Sequence, residues 1–280
     1  MAQSFKPLPL SGWKATRDTV AEYTRLARTI RRENTPQQKH FWHVSLRPST
    51  TGLTTTPIRT VDGKIYELEF SFPKHVLRIR TSEGSERDIP LRGQSIKAFR
   101  DELFMELDAL GIKAHCDRKL YNDETPGEYD AAAVATFWQM LIEIATILRE
   151  FRYSFIEETS PVQFWPHHFD MAVVWFSGRT VPDQDARDPE NASEQMGFGF
   201  STGDDAIPEP YFYATAYPAP DGWMDEPLPE GAAWYSETWA GAFLPYQKVV
   251  EAENGRLLVL DFLHAAQRAG ASRMKVTNDG

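Results

Sequence analysis

Apolar residues recur at helical spacing in four stretches of this chain and alternate with polar residues in most of the remainder. The first stretch predicts a helix over 12–33, with Trp13, Val20, Tyr23, Ala27 and Ile30 on one face and Ser11 placed to cap it. It ends in Arg31-Arg32-Glu33-Asn34 ahead of Pro36, and basic residues in a last turn suit the helix dipole without any nucleic-acid role. A second helix, 95–110, carries Ile96, Phe99, Leu103, Leu107 and Leu110 and stops at Gly111. Asp130 can cap a third that runs to about 156, whose stripe of Val134, Phe137, Trp138, Leu141, Ala145, Leu148 and Phe151 reads as core. The fourth covers 255–269.

Strands are predicted at 40–46, 53–58, 65–72, 75–81 and 87–91, and again at 169–177, 196–201, 210–217 and 232–243. In two of them Tyr66, Leu68, Phe70 and Phe72, and Leu77 and Ile79, take every second position. That period marks an antiparallel pair with one covered face, leaving Glu67, Glu69, Arg78 and Arg80 to pair across strands on the other. Phe72-Pro73-Lys74-His75 makes the turn between them, with His75 solvated. Both halves thus read helix, antiparallel strands, helix. The expected class is α+β: two similar halves, each an antiparallel sheet covered by helices, related by internal duplication. The halves are 1–125 and 126–270, joined by a polar hinge at 117–130, with a frayed tail at 271–280.

Hydrophobic content of 41% and charged content of 25% describe an ordinary globular chain of 280 residues. The N-terminus lacks a secretory signal, and no run of apolar residues is long enough to suggest a membrane span, so a cytosolic location is expected. The lone Cys116 excludes an internal disulfide and agrees with a reducing compartment. Charge is uneven: residues 1–125 carry 21 Lys+Arg against 16 Asp+Glu, and residues 126–280 carry 9 against 24. A net −15 on the second half makes nucleic acid an unlikely partner there; the first half, at +5, could hold an anion, and the plainer expectation is that the two halves pack on each other with complementary fields.

Chemistry concentrates in Phe164-Trp165-Pro166-His167-His168-Phe169-Asp170, ahead of a buried strand. In His40-Phe41-Trp42-His43, strand geometry would turn the two histidines to opposite faces, so at most one can serve a given site. His43, His168 and Asp170 together would be the ligand set of a metal-dependent enzyme such as a hydrolase; the plainer reading makes them hydrogen-bonded residues at strand ends. On the strand 210–217, Tyr211, Tyr213, Thr215 and Tyr217 share one face, and Tyr235, Glu237 and Trp239 share a face of the next strand. Those side chains would line a pocket or form a surface aromatic ladder. Gly197-Phe198-Gly199-Phe200 is no phosphate loop, having neither a following lysine nor a helix. Asp204, Asp205 and Glu209 lack calcium-loop spacing, and there is no Gly-x-Ser-x-Gly elbow.

Two blocks carry a resemblance. His40-Phe41-Trp42-His43-Val44 with Gly52-Leu53-Thr54-Thr55, and Ser160-Pro161-Val162 through Phe169-Asp170 with Phe176-Ser177-Gly178-Arg179, resemble the bacterial family of unknown function numbered 5996 over nearly the whole chain. The second half also resembles uncharacterised proteins with a Trp-Pro-Glu-His-Phe-Asp motif, a Gly-Asp-x-x-x-Pro-Glu-Pro-Tyr segment and a closing Leu-Pro-Tyr. Here these read Trp165 to Asp170, Gly203 to Tyr211 and Leu244-Pro245-Tyr246, with His167 in place of the glutamate. The resemblance implies a bacterial, cytosolic origin and no particular activity or cofactor. The residues expected to bind a small molecule, in an aromatic-lined cleft between the halves, are Trp42, His43, Trp165, His168, Asp170, Tyr213, Tyr217, Glu237 and Trp239; a structural or interaction module is the alternative without a pocket.

Overall fold

The structure, a computed structural model, describes residues 5–274. Most of the tail expected to be frayed, 275–280, lies outside them, and within them the last helix reaches Ala271 and Met274 is buried. The protein is α+β, with two six-stranded antiparallel sheets and five α-helices among the described residues. The chain divides into two compact units: Gly12–Ile142 with Phe164–Phe169, and Met1–Ser11 with Glu143–Gln163 and Asp170–Gly280. The division falls inside the third helix, not at the polar stretch 117–130.

In the first unit, α1 (Lys14–Asn34) begins beyond a 3-10 turn at Leu10–Gly12, so Ser11 is not its cap. The sheet comprises β1 (Arg47–Pro48), β2 (Gly52–Thr54), β3 (Ile58–Arg59), β4 (Ile65–Ser71), β5 (Val76–Thr81) and β6 (Glu86–Pro90), in the order β1-β2-β4-β5-β6 with β3 also on β4. The alternation in β4 and β5 holds. Tyr66, Leu68, Phe70, Leu77 and Ile79 are buried, while Glu67 faces Arg80 and Glu69 faces Arg78 in register. Arg80 donates to Glu69 at 2.6 Å, and Ser49 and Thr51 each donate to the same carboxylate at 2.6 Å. These bonds hold Glu69 ionised below the usual carboxylate range against its burial. His75 takes a left-handed conformation at the β4–β5 turn, but its Nδ1 is bonded to the Tyr129 hydroxyl at 2.9 Å, which corrects its reading as solvated. α2 (Ile96–Ala109) is capped by Ser95.

α3 (Ala131–Tyr153) is capped by Asp130 as expected, through bonds to the N–H groups of Ala132 and Ala133. It is long and apolar enough to cross a membrane by length and composition. Its first half places Phe137 against Trp13, Phe72 and Phe169 in the core of the first unit.

The second unit's sheet runs β11-β12-β10-β9-β8-β7, built from β7 (Gln163–Trp165), β8 (Asp170–Thr180), β9 (Ser193–Ser201), β10 (Tyr211–Tyr217), β11 (Ala233–Tyr235) and β12 (Gly241–Pro245). The Gly197-x-Gly199 segment is strand, as the missing lysine implied. The strand expected at 232–243 is broken, because Ser236 to Ala240 form an exposed turn between β11 and β12. Glu237 therefore lies in a loop and shares no strand face with Tyr235 and Trp239. One face of the sheet is the core. Phe198 packs on Phe151 of α3, and Phe200 and Phe212 pack on Tyr246 of α4 (Tyr246–Glu251), a short helix that the periodicity did not show. α5 (Gly255–Ala271) lies so close to β9 that a Cβ on Gly270 would sit 2.4 Å from the Met196 Cε.

Candidate functional site

The segment His40-Phe41-Trp42-His43 is not a strand. Residues Lys39–Val44 form 3-10 turns, with His40 and Phe41 both at φ 53° in the left-handed region. The run Val44-Ser45-Leu46 misleads because only Arg47 and Pro48 join the sheet. Placing the histidines on opposite faces of a strand therefore fails. The turn is fixed by its own polar groups: Phe41 N donates to the Gln38 carbonyl at 3.1 Å, Ser45 Oγ to the Trp42 carbonyl at 3.0 Å, and Gln38 N to His43 Nδ1 at 3.2 Å. With Nδ1 accepting, the neutral His43 ring carries its proton on Nε2.

The second motif forms a tight turn of its own. His168 N and Phe169 N both donate to the Trp165 carbonyl, at 3.2 and 2.8 Å. Phe169 adopts φ 55°, a conformation that costs a bulky side chain on the order of 1–2 kcal/mol. In that conformation its ring reaches the core between Phe164 and Phe137, at centroid distances of 5.1 and 5.5 Å. His167 and His168 are left exposed at the tip, 4.1 Å apart, with Trp165 edge-on to His167 at 5.8 Å.

One pair of backbone bonds joins the two motifs. Leu46 N donates to the Phe164 carbonyl and Phe164 N to the Leu46 carbonyl, each at 2.9 Å, an isolated antiparallel bridge. Trp42 and His43 are thereby tethered beside Trp165 and His168, four of the nine residues expected at a binding site.

The arginines of α1 enclose this junction. Arg31 is 7% exposed, and its guanidinium donates to the Ser45 carbonyl and, at 3.3 Å, to Thr56 Oγ1, so its partners are neutral. Thr56 also lies in the left-handed region, at φ 60°. Burial, and then Arg47, bring the Arg31 guanidinium down to about 10. His43 is lowered by burial and then by Arg31, Arg28 and Arg32. Crowding of the His167 ring comes first in bringing it to about 4, followed by His168, Arg28 and Arg25. That ring keeps an exposed edge, so its titration is assigned no stability. Arg28 is the neighbour common to His43 and His167. Arg25 is paired with Glu22, and Arg32 with Glu33 at 3.2 Å. The helix-dipole reading of Arg31-Arg32 overlooks this, although Arg25, Arg28 and Arg32 follow one another at three and four residues along one face of α1.

In the second unit, Asp170 and Tyr213 come together, the Tyr213 hydroxyl donating to Asp170 Oδ2. Tyr213 lies across Gly199, where a Cβ would approach its hydroxyl to 2.5 Å and the Met171 carbonyl to 2.6 Å. Burial, and then the Asp170 charge, raise the phenol well above its usual value, which keeps it a neutral donor. Tyr211 donates to Asp204 and stacks near Trp239 at 6.1 Å, and Trp239 meets Tyr235 at 4.8 Å. This is an aromatic ladder whose tyrosine hydroxyls are engaged by Asp170 in β8 and by Asp204 and Thr238 in loops. Tyr217, at the far end of β10 facing Gln195, and the exposed Glu237 are not among these ring contacts. Among the described residues no three His, Cys, Asp or Glu side chains are grouped to hold a metal ion, so His43, His168 and Asp170 form no such centre. Cys116 is half-buried, and burial raises its thiol to about 11, which disfavours a nucleophilic thiolate.

The architecture that defines the class is α+β with two antiparallel sheets. The chain belongs to the family of unknown function DUF5996, whose model matches residues 5–279. No curated protein matches it, and no solved structure does.

Proposed function

We propose that this protein binds a small molecule at the junction of its two motifs, with Trp42 and Trp165 as apolar walls and His43, His168 and Arg28 as polar anchors. The observation that carries the reading is the Leu46–Phe164 bridge, which joins two motifs distant in sequence, with Arg28 of α1 acting on both His43 and His167. A few polar groups converging beside half-buried aromatic rings is the composition of a ligand site. Backbone strain supports it: His40, Phe41, Thr56 and Phe169, four of six non-glycine residues in the left-handed region among those described, belong to this junction. In this reading the −15 carried by residues 126–280 disfavours nucleic acid as a partner of that half. A cytosolic setting, in keeping with the single cysteine, belongs to the same proposal.

Native mass spectrometry of the full chain, purified from its own host without denaturation, tests it. The expected result is a non-covalent adduct on the wild type that is lost in His168→Ala, an exposed position whose truncation leaves the fold intact. An adduct of equal abundance on both proteins, or none on the wild type, would overturn the proposal.

A further inference from the structure

Three N–H donors at the motif junction are sealed from solvent and have no acceptor among the described residues: Arg28 Nε, Arg31 Nε and Trp42 Nε1. Buried donors are rarely left in this state, because desolvating one without a partner costs about 1–3 kcal/mol. Arg28 and Arg31 stand three residues apart on α1 and offer donors only, which calls for a group that accepts. Their charges point the same way. Among the described residues no carboxylate pairs with Arg28 or Arg31, whereas the flanking Arg25 and Arg32 are neutralised by Glu22 and Glu33. A buried guanidinium held only by a carbonyl and a hydroxyl keeps its full charge uncompensated.

We infer that the group bound at this junction is the phosphate of a phosphorylated small molecule, held by Arg28 and Arg31 with the Trp42 and His43 N–H groups completing its shell. This deepens the small-molecule reading and rests on it. Two uncompensated guanidinium charges match a phosphate monoester, which carries about −1.5 to −2 at neutral pH, whereas a carboxylate would balance only one. Three phosphate oxygens offer enough lone pairs for three or four converging donors, and guanidinium forks suit that geometry. The exposed His167 and His168 stand at the edge, and the half-buried rings of Trp42 and Trp165 give an organic substituent an apolar surface.

Isothermal titration of the full chain with inorganic phosphate, phenyl phosphate and benzoate tests the inference. Phosphate is expected to bind, phenyl phosphate at least about tenfold more tightly, and benzoate weakly or not at all. Arg28→Gln should weaken phenyl phosphate about tenfold or more, the loss of roughly one charge-assisted contact. Arg92→Gln, in the same unit but paired with Glu102, should leave affinity unchanged and shows that the loss is not a matter of net charge. Melting curves of both variants establish that they are folded. If benzoate binds as well as phenyl phosphate and both depend on Arg28, the phosphate assignment falls and the small-molecule site stands. If no probe binds while the mass-spectrometric adduct still depends on His168, the assignment falls alone. If neither probes nor adduct respond to these positions, both fall together.

Discussion

Around Tyr213 the phenols of the second unit have acceptors, Asp170 for Tyr213 and Asp204 for Tyr211, and β10 is an unstrained strand on which they sit. Around Arg28 in the first unit, buried donors lack acceptors and two guanidinium charges lack carboxylates among the described residues, and the backbone is left-handed at four bulky or branched positions. Both clusters hold aromatic rings and ionisable groups, and composition alone would rank them equally. What separates them is satisfaction. A cluster that completes its own hydrogen bonds stabilises the fold, whereas open donors beside strained backbone are what the proposed ligand site rests on.

Removing the ring that anchors the histidine turn should have the largest effect. Phe169→Ala empties a core position between Phe164 and Phe137 and is expected to cost about 3–5 kcal/mol in chemical denaturation, with loss of the His168-dependent adduct. A loss below about 1 kcal/mol would mean that the turn is not held by its core contact. Acid comes next. Burial, and then Lys39, lower the His40 ring from 6.5 to about 4, so between those values the unfolded chain takes up a proton that the folded one refuses. Stability should be level above pH 6.5 and fall by about 3 kcal/mol towards pH 4, with His40→Asn flattening the slope. An unchanged slope in that variant would remove His40 as the cause. In the second unit, Gly199→Ala would push a methyl group against the Tyr213 hydroxyl and the Met171 carbonyl, with an expected cost of about 2 kcal/mol. Tyr213→Phe, which takes the donor from Asp170, should cost about 1–2 kcal/mol. Both should leave the adduct in place; its loss in either would make the ladder part of the binding site. The smallest effect is a gain. Phe41→Asn replaces an exposed ring at φ 53° by a residue that tolerates the left-handed region, and should stabilise by up to about 1 kcal/mol.

Much of the fold was legible from periodicity, because β4, β5, α2, α3 and α5 bury one face each and their residues repeat accordingly. The misread segments are those where local geometry overrides alternation. Lys39–Val44 contains residues with strand propensity, but two of them are left-handed, which propensity does not encode. At 236–240 a run of Ser, Glu and Thr interrupts what otherwise reads as one strand. Both motifs stand out in composition, and four of the residues expected at a site lie in the two segments that the Leu46–Phe164 bridge joins. The arginines do not stand out. Arg28 sits on the same helix as a clear core stripe, and its nearness to both His43 and His167 emerges only in the folded chain.

That bridge also bears on the order of events during folding. Leu46 and Phe164 are 118 positions apart, the difference of their numbers, and the whole of the first sheet and α2 lie between them. Closing so long a loop slows the search for the contact more than it lowers final stability, since each doubling of loop length costs only about 0.6 kcal/mol. During synthesis the first sheet and α1 can form while the turn Trp165–Phe169 has yet to be made. The junction is then completed by a segment arriving last, and a chain stopped before residue 164 would carry the arginines and His43 without Trp165, His167 and His168.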